Sequence, residues 1–186
     1  MKILLTTQNK NKIKEIKNAL KDTQVSFVTL QELSDDEEIL ETGKTFKDNA
    51  YLKAKHFGDK HQLLSLADDS GLEVYALNLR PGVHSHRYGK TSEEANNKLI
   101  KELKDKKREA RFKTVLCLYD PLKKSATYFE GTLEGVIIDE PRGIEGFGYD
   151  PIFLLPNNKT LAEISISEKS IISHRGIALT HFKKIL

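Results

Sequence analysis

Tryptophan is absent, and cysteine and methionine each occur once in 186 residues. The lone Cys117 excludes an internal disulfide and leaves no thiolate set for zinc. It lies in an apolar run and reads as core rather than nucleophile. No apolar run approaches the ~20 residues of a membrane-spanning helix. The start, Met1-Lys2-Ile3-Leu4-Leu5-Thr6, turns polar too soon for a signal peptide, so the expectation is a cytoplasmic protein with no membrane partner. An excess of one charge is lacking too: 30 basic and 27 acidic residues leave +3, mixed along the chain. That argues against a nucleic-acid-binding module, which gathers basic charge on one face. The lysine-rich stretch 101–108 reads as the solvated end of a helix, where cations complement the helix dipole. Repeats, low-complexity tracts and flexible linkers are absent, which excludes a multi-domain string.

What is present is a hydrophobic fraction of 38% and a charged fraction of 31%, the balance of a globular chain. The length suits one sizeable core, or two lobes sharing one sheet. A single domain over residues 1–186 is expected. The most informative stretch is Leu63-Leu64-Ser65-Leu66-Ala67-Asp68-Asp69-Ser70-Gly71. A short apolar strand ends there in two adjacent carboxylates, a hydroxyl and a glycine. Neighbouring aspartates repel unless a cation sits between them. Mg²⁺ takes such oxygens together with substrate phosphates. An ordinary turn built of Asp, Ser and Gly reads the same stretch without a metal.

Around it, Ile3–Leu5 is expected as a strand feeding the polar loop Thr7-Gln8-Asn9-Lys10-Asn11-Lys12 and a helix on Ile13, Ile16 and Leu20. A loop at a helix start offers free N–H groups to phosphate, though a plain capped start fits as well. A second strand covers 25–30 and an acidic loop 34–38. Gly43-Lys44-Thr45 imitates a P-loop end, but Glu38 stands where that motif needs glycine. Thr45 and Asp48 instead cap a helix that buries Phe46, Ala50, Ala54 and Phe57. Asn49 and Lys53 share one side of it, and Glu41 precedes it. His84 and His86 follow the Pro81-Gly82 turn; with no cysteine or third spaced histidine for zinc, they read as a loop or strand contact. Thr91 and Glu94 fit a capping box ahead of Ala95, Leu99 and Leu103. Ala110–Tyr119 is the strongest strand, returning over 125–130 and again over 132–138 as a meander. Gly143–Pro151 spaces glycines around aromatic rings, suiting a loop that approaches a flat ligand. Ile152–Leu155 is a short strand, 165–170 a polar approach, and Ser173-His174-Arg175-Gly176 opens a last helix with Ala178, Phe182 and Ile185 on its core face.

These motifs occur in one order: Thr7–Lys12, Glu41-Thr42-Gly43, Phe46-x-x-Asn49-Ala50-x-x-Lys53-Ala54, Ala67–Gly71, Pro81-Gly82-Val83-x-Ser85-x-Arg87-Tyr88, Phe147–Phe153 and Ser173–Gly176. Seven in register, from about residue 3 to the C-terminus, resemble the inosine triphosphate pyrophosphatase family. Gln8 stands where that family has glycine, His86 where alanine is common and His84 where an aromatic is frequent. The resemblance implies an α/β, two-lobed fold on a long central mixed sheet flanked by helices, usually a homodimer, with the nucleotide in the cleft between lobes. It implies Mg²⁺-dependent hydrolysis of ITP, dITP and XTP to the monophosphate and pyrophosphate. It also implies roles. Glu41 and Asp69 would hold Mg²⁺ with Asp68 beside them, and Asp69 is the candidate general base. Lys12, Lys53 and Lys169 would meet the triphosphate, with Thr7, Gln8, Asn9, Lys10, Asn11 and Ser70 adding contacts. Phe147 would stack on the purine beside Gly148. Tyr149, Asp150, His174 and Arg175 would surround its edge, where Arg and His donors suit a 6-oxo group. The nearest rival, a Maf-type nucleotide pyrophosphatase on a similar fold, is disfavoured by Ser173-His174-Arg175 and Phe147–Asp150.

Overall fold

The structure, a computed structural model, describes residues 1–186. A seven-stranded mixed sheet organises it. The elements run β1 (Lys2–Leu5), α1 (Lys10–Ala19), β2 (Ser26–Thr29), α2 (Phe46–His61), β3 (Ser65–Val74), β4 (Arg80–Pro81), α3 (Ser92–Glu102), β5 (Glu109–Asp120), β6 (Ser125–Ile137), β7 (Phe153–Leu154), α4 (Ile166–Ile172) and α5 (His174–Lys183). Strand order is β2-β1-β3-β5-β6-β7, with β4 on β3. The β1–β2 and β1–β3 pairs are parallel; β3, β5, β6 and β7 pair antiparallel.

Side chains alternate along a strand, and this alternation builds the molecule. Odd residues Ala67 of β3 and Val115 and Cys117 of β5 pack under α2, against Phe46, Ala50 and Ala54. Even residues face the other helices in two separate apolar clusters. Leu66 and Leu116 join Ile3, Ile16, Ala178 and Phe182 under α1 and α5. Leu72, Val74 and Phe112 join Ala95, Leu99, Leu103 and Tyr149 under α3. Between the clusters, on the same face, lies a polar line: Asp68 and Ser70 on β3, then Thr114 paired with Ser70, then Gly131 paired with Thr114. The two lobes part along this line. Gly131 is required there, because a Cβ would lie 2.0 Å from the carbonyl oxygen of His174, where α5 crosses the sheet.

Several sequence expectations are corrected. The aspartates do not end a strand; β3 continues through them for ten residues, since β5 pairs with it from Ser65 to Val74. The stretches 125–130 and 132–138 are one strand, β6, because Gly131 serves a helix contact rather than a turn. Residues expected as a polar approach form α4, closed by a capping box between Ser165 and Glu168. Thr91 caps α3, but Glu94 accepts from Lys90 N instead of Thr91 N, so that box is half made. Ile185 lies beyond α5 and is 53% exposed, off the core face it was assigned. Thr45 and Asp48 do form a complete capping box on α2. Cys117 is buried, and burial pushes its thiol up to about 12. No helix is long and apolar enough to cross a membrane.

Candidate functional site

A cleft of about 870 Å³ opens between the lobes. It gathers every residue expected at the site except Lys10 and Asp68. Lys10 begins α1 and is exposed outside the cleft. Asp68 is buried beneath the floor, at 1% exposure.

The loop after β1 forms one wall. Asn9 is the N-cap of α1, its side-chain oxygen accepting from the N–H groups of Asn11 at 3.0 Å and Lys12 at 3.2 Å. Two amides expected to be free for phosphate are therefore already capped. The Lys12 side chain turns inward, 2.6 Å from Asp68 Oδ1.

Adjacent carboxylates on β3 meet opposite environments, because consecutive side chains leave a strand on opposite faces. Asp68 accepts from Arg175 Nε at 2.8 Å and Nη2 at 3.3 Å, from Ser70 Oγ at 3.1 Å, and pairs with Lys12. Burial alone would raise this carboxyl, but Arg175 and Lys12 hold it well below the usual carboxylate range. With both oxygens engaged by these partners, Asp68 stands beneath the floor rather than at the cleft surface. Asp69 lies on the α2 side. Its Oδ1 accepts from Lys53 Nζ at 3.3 Å, while its Oδ2 is buried without a partner. Burial raises its affinity for a proton, outweighing the neighbouring lysines. Lys53 donates to Glu41 Oε1 at 2.7 Å and to the Asp68 carbonyl at 2.9 Å. Burial works against its charge, but Asp69 and Glu41 outweigh it and keep it protonated. Lys53 thus fastens the coil that carries Glu41 to β3.

The opposite end is held by a chain of buried charges. Arg175 meets Glu15 through Nη1 as well as Asp68. Glu15 Oε1 lies 2.7 Å from Lys169, which lies 2.6 Å from Asp150 Oδ2. Asp150 in turn accepts from Phe147 N at 2.7 Å. A Cβ at Gly146, where φ is +77°, would fall 2.1 Å from that same oxygen, so only glycine permits the turn. Asp150 and Arg175, expected at a base edge, line the cleft and also tie down the aromatic loop and the floor. Tyr149 is likewise anchored, its hydroxyl donating to Ser85 O at 3.0 Å. Phe147 stays half-buried in the cleft, 5.0 Å from Lys169 Nζ. His174 is fully inside. Burial, with Arg175 nearby, lowers its pKa well below the ordinary range and keeps the ring neutral. It stacks on Phe112 at 4.7 Å, and its Nδ1 has no partner.

Glu15 and Phe112 were not singled out in the sequence. For Glu15 a signal existed: it is the one acidic residue of α1, three positions after Lys12. Phe112 carried none, since it reads as ordinary core of a strong strand.

These features define an α/β protein whose interlobe cleft combines cations, carboxylates and an aromatic wall, the equipment for a flat ligand with an anionic tail. Residues 3–185 match the Ham1 family, and the chain belongs to that family. A protein from Thermoanaerobacter pseudethanolicus named dITP/XTP pyrophosphatase is 43% identical over 193 residues, covering 100% of this chain and 96% of its own. One of the same name from Thermus thermophilus is 46% identical, covering 96% of this chain and 88% of its own. A solved HAM1 protein from Coxiella burnetii has a TM-score of 0.90 at 41% identity, covering 100% of this chain and 98% of its own. The Staphylococcus aureus Ham1 protein has a TM-score of 0.88 at 37% identity, with 100% and 97% covered.

Proposed function

We propose that this chain hydrolyses non-canonical purine nucleoside triphosphates such as dITP, XTP and ITP to the monophosphate and pyrophosphate. The observation that carries the reading is the cleft, which brings together a proton-hungry carboxylate, Asp69, held by Lys53, and an unpartnered neutral histidine, His174, stacked on Phe112, with Phe147 also in its lining. The full-length likeness to proteins named dITP/XTP pyrophosphatase supports it.

Phe147 stacks on the purine, and the neutral His174 offers Nδ1 to its edge as donor or acceptor according to tautomer. Lys12 and Lys53 meet phosphate oxygens as point charges. The free Oδ2 of Asp69 is the candidate acceptor for a proton of the attacking water, a role that competes with binding the metal. No three carboxylates or histidines close a metal cage here. An unpaired oxygen on Asp69 beside Glu41 still fits Mg²⁺, which is held by one or two carboxylates and shares the rest of its ligands with phosphates and water. Glu41 and Asp69 would hold the ion, with Asp68 excluded by its own ion pairs. Bound there, Mg²⁺ would neutralise charge on the phosphoryl oxygens. The same reading extends to a homodimer in the cytoplasm, which sedimentation would test for assembly.

A substrate panel with product identification tests the activity. Pyrophosphate released in one step from dITP and XTP, lost with chelator and regained with Mg²⁺, is the expected result. Sequential phosphate release, or full turnover in excess chelator, would sink it.

A further inference from the structure

The motif Pro81-Gly82-Val83-x-Ser85-x-Arg87-Tyr88 has no part in the reading above. It forms a 3₁₀ turn over Gly82–Arg87, pinned to β3 where Ser85 Oγ accepts from Leu72 N at 2.9 Å. Arg87 and Lys90 leave this segment exposed, on the cleft rim. Both also line an adjoining open recess of about 520 Å³, together with His86, Lys98 and one carboxylate, Glu94. The cleft rim therefore continues into a surface recess in which cations outnumber carboxylates.

Charge on the floor makes that recess necessary. Lys12, Lys53, Lys169 and Arg175 are the floor's cations, and each is already paired with a carboxylate of the chain. Those four face five carboxylates, Glu15, Glu41, Asp68, Asp69 and Asp150. A floor balanced in this way offers little net attraction to a triphosphate. The Arg87 and Lys90 side chains, by contrast, make no ion pair; Glu94, in the same recess, is engaged by the Lys90 backbone N–H at 2.9 Å rather than by its ammonium. A guanidinium held free of carboxylates keeps its donors for two oxygens of one phosphate.

We propose that Arg87 and Lys90 form a site for the distal end of the polyphosphate chain and set the preference for triphosphates over diphosphates. The site deepens the pyrophosphatase reading and rests on it for the identity of the physiological ligand. Both residues act as binding groups at the rim, distant in role from the proton transfer at Asp69.

Inorganic tripolyphosphate is the probe, titrated calorimetrically into the whole protein without divalent ions. Arg87→Gln with Lys90→Gln should weaken its binding by at least about tenfold, the scale of one charge-assisted hydrogen bond, and flatten the dependence on salt. In turnover, the double variant should lose more in KM for a triphosphate than for the matching diphosphate, with the preference among bases unmoved. Lys106→Gln with Lys107→Gln removes an equal charge at exposed sites elsewhere and should leave binding as it was. A tripolyphosphate Kd within twofold of the parent, or equal KM losses for both phosphate lengths, overturns the site. Rim-dependent tripolyphosphate binding in a protein that leaves dITP and XTP intact would instead overturn the activity and keep the site.

Discussion

Asp68 and Asp69 are neighbours in the chain, yet they occupy the two faces of β3 and behave as different chemical species. On one face, Asp68 is enclosed by Arg175, Lys12 and Ser70, with both oxygens engaged. On the other, Asp69 is buried with one oxygen unmatched and a single lysine for company. The first face welds three helices to the sheet. The second keeps a carboxylate dissatisfied, which is what a proton acceptor or a metal ligand requires. Reactivity here comes from what was left unpaired, since the sequence of the two residues is the same.

The comparison breaks most visibly at Asp68. Asp68→Asn leaves the buried Arg175 short of a counter-charge, and removing one partner of a buried pair costs about 3–5 kcal/mol. Thermal unfolding should show a large drop in Tm, and a variant as stable as the parent would mean that the pair is not structural.

Asp69→Asn should do the reverse. Turnover of dITP should fall ~10²-fold or more, the scale of a general base, while Tm stays at or above that of the parent, because an ionised, half-paired carboxylate has been removed. A stability loss matching that of Asp68→Asn would erase the distinction between the faces.

Acid sharpens it further. The Asp69 pKa is raised by burial, and the reactive form is the carboxylate, so kcat/KM should fall as pH drops through a value above 3.8. The Asp68 pKa is depressed, so its stabilisation is complete above the unfolded-state value near 3.9 and wanes only below it. Activity should therefore fail while circular dichroism still reports a folded protein. Coincident loss of both would contradict the assignment.

The smallest effect is expected at Lys10. Its side chain is exposed outside the cleft, so Lys10→Ala should alter kcat/KM less than twofold and stability by no more than ~0.5 kcal/mol. A larger kinetic change would restore it to the phosphate wall.

Much of this was legible in the chain. Helical spacing gave α1, α2 and α3, because one buried stripe per helix is a local signal. The motif order gave the family and the membership of the cleft. Errors fell where a residue answers to a distant partner. Gly131 looks like a turn and is a landing place for α5. The pairing of Arg175 with Asp68 and Glu15, 107 and 160 positions away, had no local signal either.

What the sequence determined by itself was therefore periodicity, caps, the absence of disulfides and the set of reactive side-chain types, all of which depend on neighbours within a turn or two. Which carboxylate is quenched and which is left reactive was decided by tertiary structure alone. The pKa of a buried acid is set by desolvation and by charges within a few ångströms. Those charges arrive at β3 from α1, α2 and α5, and only the packed sheet determines which face each of them reaches.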